Sequence, residues 1–138
     1  MATASYTLSD FTFDEYQVGD TTFDGEHLPG IPKHFGSLSL QYINPKGLFF
    51  KLQSRFVGKV FTTDANMVED DSYALINLNV GYEQDFSNWT LIPFFGVNNL
   101  LDATYNDNIR INAFGGRHYE PAAGINFYGG VRVRFDGQ

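Results

Sequence analysis

Hydrophobic and polar residues alternate with a period of two through six segments of the chain, and no helical spacing is sustained for longer than a turn. The clearest segment, 35–43, sets Leu38, Leu40 and Tyr42 on one face against Ser37, Ser39 and Gln41 on the other. Segment 48–60 alternates Phe50, Leu52, Ser54 and Phe56 with Lys51, Gln53 and Arg55. Segment 73–82 alternates Ala74, Ile76, Leu78, Val80 and Tyr82 with Asn77, Asn79 and Gly81. Segment 126–135 opposes Phe127, Val131, Val133 and Phe135 to Tyr128, Arg132 and Arg134. A first strand is expected over 4–13, ending in Asp14-Glu15, and a fifth over 89–100. The fifth cannot be phased: Leu91-Ile92 and Phe94-Phe95 load both faces, and Pro93 removes a ladder donor.

The connections alternate too. Short turns are expected at 44–47, where Asn-Pro-Lys-Gly has turn chemistry, and at 83–88; long loops are expected at 14–34, 61–72 and 101–125. All the long loops then fall at one end of an antiparallel up-and-down meander of about six strands, as in transmembrane barrels of the outer membrane. Aromatic residues gather at the strand ends, with Tyr42, Phe49, Tyr82, Phe86, Trp89 and Phe135 by the short turns and Phe35, Phe61, Tyr73 and Phe127 by the long loops. Two interfacial girdles have that distribution. The same alternation also suits a small soluble β-barrel or β-sandwich acting as a binding module. That alternative requires Leu38, Leu40, Ile76, Leu78, Val80, Val131 and Val133 to be buried within the protein.

Composition narrows the choice without making it. The 138 residues are 43% hydrophobic and 17% aromatic, enough for one domain at most. The longest apolar stretch, 91–97, is broken by Pro93 and falls short of the roughly 20 residues of a spanning helix. A mean hydropathy of -0.23 is compatible with strands that show lipid only every second residue. A net charge of -7, with no basic stripe, argues against nucleic acid as a partner. The absence of Cys removes disulfides and thiolate metal sites. No signal peptide is visible at the N-terminus.

Three stretches carry a family resemblance. Gly25-Glu26-His27-Leu28-Pro29-Gly30-Ile31-Pro32-Lys33-His34 leads into a strand ending in Tyr42. Val97-Asn98-Asn99-Leu100-Leu101-Asp102 is followed by Tyr105, and Asn112-Ala113-Phe114-Gly115-Gly116-Arg117-His118-Tyr119-Glu120-Pro121 leads into Phe127-Tyr128-Gly129-Gly130-Val131-Arg132-Val133-Arg134-Phe135. In this order and spacing they resemble the C-terminal part of TonB-dependent outer-membrane receptors. The resemblance implies a bacterial outer-membrane barrel of roughly 22 strands around a plug, energised by TonB and importing ferric siderophores, haem, cobalamin or glycans. On that reading residues 1–138 are one piece of the barrel without the plug, the TonB box and roughly the first sixteen strands. The expected partners are outer-membrane lipid, the rest of the barrel, the plug and, through it, TonB. One departure is Asp136-Gly137-Gln138 after Phe135, where the family tends to finish on an aromatic residue. A six-stranded sheet studied alone is expected to pair its open edges with another copy or to roll up.

Candidate ligand contacts are Arg110, Arg117, His118 and Tyr119 in the last long loop, because guanidinium forks match carboxylates and phosphates. The plainer reading is that Gly115-Gly116 and Pro121 shape the loop and these side chains hold it. Lys51, Arg55, Arg132 and Arg134 are expected to line a polar interior. The acidic groups Asp14, Glu15, Asp20, Asp24 and Glu69, Asp70, Asp71 lack the spacing of a calcium loop and read as solvated charge. His27, His34 and His118 lack metal-ligand spacing. No metal or other cofactor is expected. No nucleophile elbow or P-loop is present and no titratable constellation converges, so an enzyme ranks last among the readings. The Asn88-Trp89-Thr90 sequon carries no weight in a bacterial chain.

Overall fold

The computed structural model describes residues 1–135; Asp136-Gly137-Gln138, the departure noted above, lies outside the described residues. Six long strands form one antiparallel sheet in chain order: β1 (Ala2–Leu8), β2 (His34–Ile43), β3 (Leu48–Val57), β4 (Tyr73–Tyr82), β5 (Trp89–Asn98) and β6 (Asn126–Phe135). The short strand Gln84–Asp85 adds a further rung against β5. The sheet is an open up-and-down meander whose edges are β1 and β6.

Pairing turns the sequence alternation into two faces. Leu40 faces Leu52, which faces Leu78, which faces Val97, which faces Phe127; one rung along, Ser39, Gln53, Asn77 and Asn98 continue to Asn126. Followed through every rung, the first face includes Ala4, Tyr6, Leu38, Tyr42, Phe50, Phe56, Ile76, Val80, Phe95, Val131 and Phe135, with no Asp, Glu, Lys or Arg. The second face carries Lys51, Arg55, Arg132 and Arg134 among Ser, Asn and Gln, as expected.

Both faces of the open sheet reach the surface, and the apolar face is not packed into a core. Phe127 and Val131 are each 63% exposed, and none of the seven residues that a soluble barrel would bury is buried. Of the buried hydrophobic residues described, Val57, Leu75 and Ile92 lie on the polar face, Val60 lies in a loop, and only Val97 belongs to the apolar face. An apolar surface this continuous is stable against hydrocarbon, not water. The chain is therefore part of a transmembrane β-barrel wall.

Rim aromatics of the apolar face stack near the short turns, with Tyr42 on Phe50 at 5.3 Å and Phe86 on Trp89 at 4.2 Å. Phe49, Phe35 and Tyr73, expected in the girdles, belong instead to the polar face. Phe49 lies across Gly81, and Phe94 across Gly130, so aromatic rings and glycines alternate along one rung from β3 to β6. A ring laid over a neighbour's bare backbone covers it where no side chain can.

The tight turn is as expected: Asn44 accepts from Gly47 N at 2.9 Å, and its side chain accepts from Lys46 N at 2.8 Å. Gly47 has φ 96°, and a Cβ there would strike the carbonyl oxygen of Glu83. The fifth strand is also resolved. Its ladder to β6 is continuous over ten pairs, whereas the ladder to β4 ends at Phe94 and pairing with Gln84–Asp85 resumes only at Leu91. Pro93 sits in that gap with its carbonyl aimed at Gly81, so its missing N–H falls on the β4 side.

Two strands are shorter than the alternation predicts. β1 ends at Leu8 because its partner begins at His34, and Thr12 then makes one isolated bridge to His27. β3 ends at Val57 because Gly58 turns back to donate to His34 O at 2.8 Å. Val60–Phe61 then pairs with Glu69–Asp70 in a separate hairpin.

Candidate ligand face

The three long connections, 9–33, 58–72 and 99–125, lie at one end of the sheet. The last begins at a corner built by Asn99 and Asp102, which both adopt positive φ. Asn99 is 3% exposed: its backbone N–H donates to the Asn77 side chain at 2.9 Å, its amide oxygen accepts from Ala103 N at 2.9 Å, and its amide nitrogen donates to Ala103 O and Ala123 O. The Asp102 carboxylate accepts from Ile125 N at 2.8 Å. The Asn-Asn-Leu-Leu-Asp stretch thus ties the start of the loop to its end. An amide with both ends satisfied can replace a ladder where the backbone must turn sharply.

The other loops are joined the same way. Asn66, at φ 51°, accepts from His27 N at 2.7 Å and donates to His27 O at 2.8 Å, which clamps the second loop to the first. Asn112 and Asp64 exchange bonds reciprocally: Asp64 N donates to the Asn112 amide oxygen at 3.0 Å, and the Asn112 amide nitrogen donates to the Asp64 carboxylate at 2.8 Å. Asn106 donates to Asp70 at 2.6 Å. Ring pairs reinforce these joints, with His27 on Phe61 at 5.9 Å and Tyr73 on Tyr105 at 4.7 Å. Asn99 and Asn112 stand within the stretches that carry the resemblance, but nothing in the sequence assigns either a role, and nothing there singles out Asn66. The available signal was Asn, the non-glycine residue that best tolerates positive φ, inside long loops.

The predicted contact residues share one hairpin, Asn106–Ile109 paired with Tyr119–Pro121. Arg110 is ion-paired with Glu120, and its carbonyl accepts from Nδ1 of His118 at 3.1 Å. A carbonyl only accepts, so Nδ1 carries the proton. His118 is buried, and Tyr119 donates its hydroxyl to Glu69 O at 2.8 Å. Arg117, just after the 3-10 turn Phe114–Gly116, is exposed and makes no ion pair among the described residues. The Arg110 guanidinium and the Asn108 amide hold the Glu120 carboxyl below its usual range, the amide's hydrogen bond weighing most.

Below the loops, the polar face forms a cleft of about 520 Å³ lined by Ser37, Ser39, Gln53, Arg55, Asn77, Asn98, Tyr105 and Asn126, among others. Its one cation, Arg55, lies 5.8 Å from the Tyr73 ring and has no carboxylate partner among the described residues. Toward the short turns, Arg134 pairs with Glu83 at 2.6 Å and reaches Thr90, which bonds Asp85 at 2.7 Å. Such a wall can hold oxygen-rich or anionic groups through amides and a cation. The acidic residues are spread: Asp24 accepts from Tyr16 N, Glu69 pairs with Lys59, and Asp70 accepts from Asn106. Among the described residues, no three His, Cys, Asp or Glu side chains converge as a metal site would require.

A family model described as TonB dependent receptor-like, beta-barrel matches residues 1–100. Among solved structures, the ferric citrate transporter FecA in its unliganded form superposes with a TM-score of 0.76 at 23% identity, covering 96% of this chain and 21% of that one. The siderophore receptor PiuA from Acinetobacter baumannii gives 0.72 at 21% identity, covering 96% of this chain and 18% of that one. The ferric-catecholate import receptor Fiu from E. coli K12 gives 0.66 at 20% identity, with the same coverages of 96% and 18%. The chain therefore spans about a fifth of the length of these proteins. At such identities the likeness is one of fold.

Proposed function

Because the chain belongs to the TonB-dependent receptor-like β-barrel family, we propose that residues 1–138 form C-terminal wall strands of an outer-membrane receptor that imports a scarce nutrient. The observation that carries this reading is the uncharged, exposed face of β1 to β6 backed by a polar face beneath three interlocked loops. The outer-membrane location, the remainder of the barrel, a plug and TonB as partners belong to the same proposal, as does the absence of catalysis.

For the cargo, ferric chelates rank ahead of haem and cobalamin. The named structural relatives transport or receive ferric citrate, a siderophore and a ferric catecholate. Such chelates are oxygen-rich and commonly anionic, which suits Arg55 among amides on the wall and Arg117 at the loop surface. In this reading Arg117 and the exposed side of Tyr119 meet the ligand, while His118 and the Arg110–Glu120 pair hold the hairpin that presents them.

Calorimetric titration of the detergent-held chain with ferric citrate and with a ferric catecholate tests this reading. Arg117→Ala is expected to weaken binding about tenfold, the loss of one charge-assisted contact. Unchanged affinity would remove Arg117 from the site, and heat independent of the iron chelate would remove the cargo class.

A further inference from the structure

Beside the loop layer, against the outward face, lies a second cleft of about 450 Å³. Phe11, Leu28 and Ile31 from the first loop line it, with Phe61 from the second and Phe56 from β3. Phe56 belongs to the uncharged, outward face and is 44% exposed, so the cleft continues the surface that meets hydrocarbon.

The charged and imidazole groups along this cleft are already engaged. His27 is stacked on Phe61, and His34 is hydrogen-bonded through Nδ1 to the Tyr6 hydroxyl at 2.7 Å. Lys33 pairs with Asp10 at 3.3 Å, and Lys59 pairs with Glu69. What the cleft offers is apolar surface, bordered by cations whose charge is balanced. A phosphate recognised by charge would have to displace those carboxylates. A hydrocarbon chain would displace nothing but water, and would remove exposed Phe and Ile surface from it.

We propose that this cleft takes the acyl chain of a membrane lipid at the loop-side rim of the wall, held by hydrocarbon contact and indifferent to headgroup charge. The lipid then braces the first loop against the second from outside, at the joint that Asn66 and His27 close from within. This goes beyond nutrient import and stands whether or not Arg117 contacts a cargo.

The test is carbene photolabelling of the chain in mixed micelles, using phosphatidylcholine and phosphatidylglycerol that carry the same diazirine acyl chain, with the labelled residues mapped by mass spectrometry. Leu28 and Ile31 are expected to be labelled together with belt residues such as Val131, equally by the two lipids. Ser72→Trp, which narrows the cleft from its lining, should reduce labelling of Leu28 and Ile31 severalfold and leave Val131 unchanged. Labelling confined to the belt would overturn the proposal. So would a severalfold preference for the anionic lipid, or no response to Ser72→Trp.

Discussion

The strand wall and the loop layer are held together by different means. In the wall, backbone ladders run rung by rung, and few side chains are buried: Val57, Leu75, Ile92 and Val97 are the buried hydrophobic residues of its strands. The loop layer has short ladders of two to four residues, and its joints are mostly side-chain amides: Asn66 and Asn99 each answer backbone groups on both sides, and Asn112 answers the backbone N–H and the carboxylate of Asp64. The wall thus depends on its surroundings to make its apolar face favourable, whereas the loops carry their own cohesion into water. A receptor wall needs both, since its strands stand in hydrocarbon and its loops stand outside.

The largest effect should come from placing charge where the wall has none. Leu78, mid-strand on the outward face of β4, mutated to Arg is expected to cost about 2–4 kcal/mol in lipid, read as lowered resistance to urea unfolding from vesicles. The same substitution at Asn79, on the opposite face, should cost far less. Next is Asn66→Ala, which removes the clamp on both backbone groups of His27 and should loosen the loop layer by about 1–3 kcal/mol. Hydrogen exchange at His27 and Asn66 should rise while β2 to β5 stay protected. Gly81→Ala is expected to cost about 1–3 kcal/mol, because its Cβ would meet the Phe49 ring and the Pro93 carbonyl oxygen. Phe49→Leu in the same chain should recover part of that loss, since it removes the ring but not the carbonyl.

The smallest effect is a pH dependence confined to the last loop. The folded Glu120 carboxyl titrates below its ordinary 4.5, through Asn108 first and then Arg110. A depressed carboxylate contributes stability that is complete above its unfolded value and lost as pH falls through the folded one. Hairpin resonances around Ile109 and Tyr119 should therefore begin to change only below about pH 4.5, and Glu120→Gln should remove that step.

The same division explains what could be read from the chain. Strands 73–82 and 126–135 stand where alternation put them, because a face solvated by lipid leaves every second residue apolar and nothing else competes. The fifth strand defied phasing because Ile92 and Phe94 are apolar for interior reasons, one buried and the other laid over Gly130, while Leu91 and Phe95 face outward. Phe49 and Tyr73 misled the girdle assignment in the same way: an aromatic residue at a strand end serves either face. The hairpins within the loops left no pattern, being two to four residues long and fixed by Asn66, Asn99 and Asn112, whose role is set by partners up to 48 residues away. Arg110, His118 and Tyr119 could be placed in one loop from sequence; that they bond to one another's backbone and to Glu69 could not.

The central claim is the direction of the faces, and β4 tests it most directly. Single spin labels placed at positions 76 to 80 in lipid should report a period of two in accessibility to oxygen dissolved in the membrane, high at Ile76, Leu78 and Val80 and low at Asn77 and Asn79. The reverse phase, or five equally shielded sites, would mean that the apolar face is turned inward and that the chain is not a membrane wall.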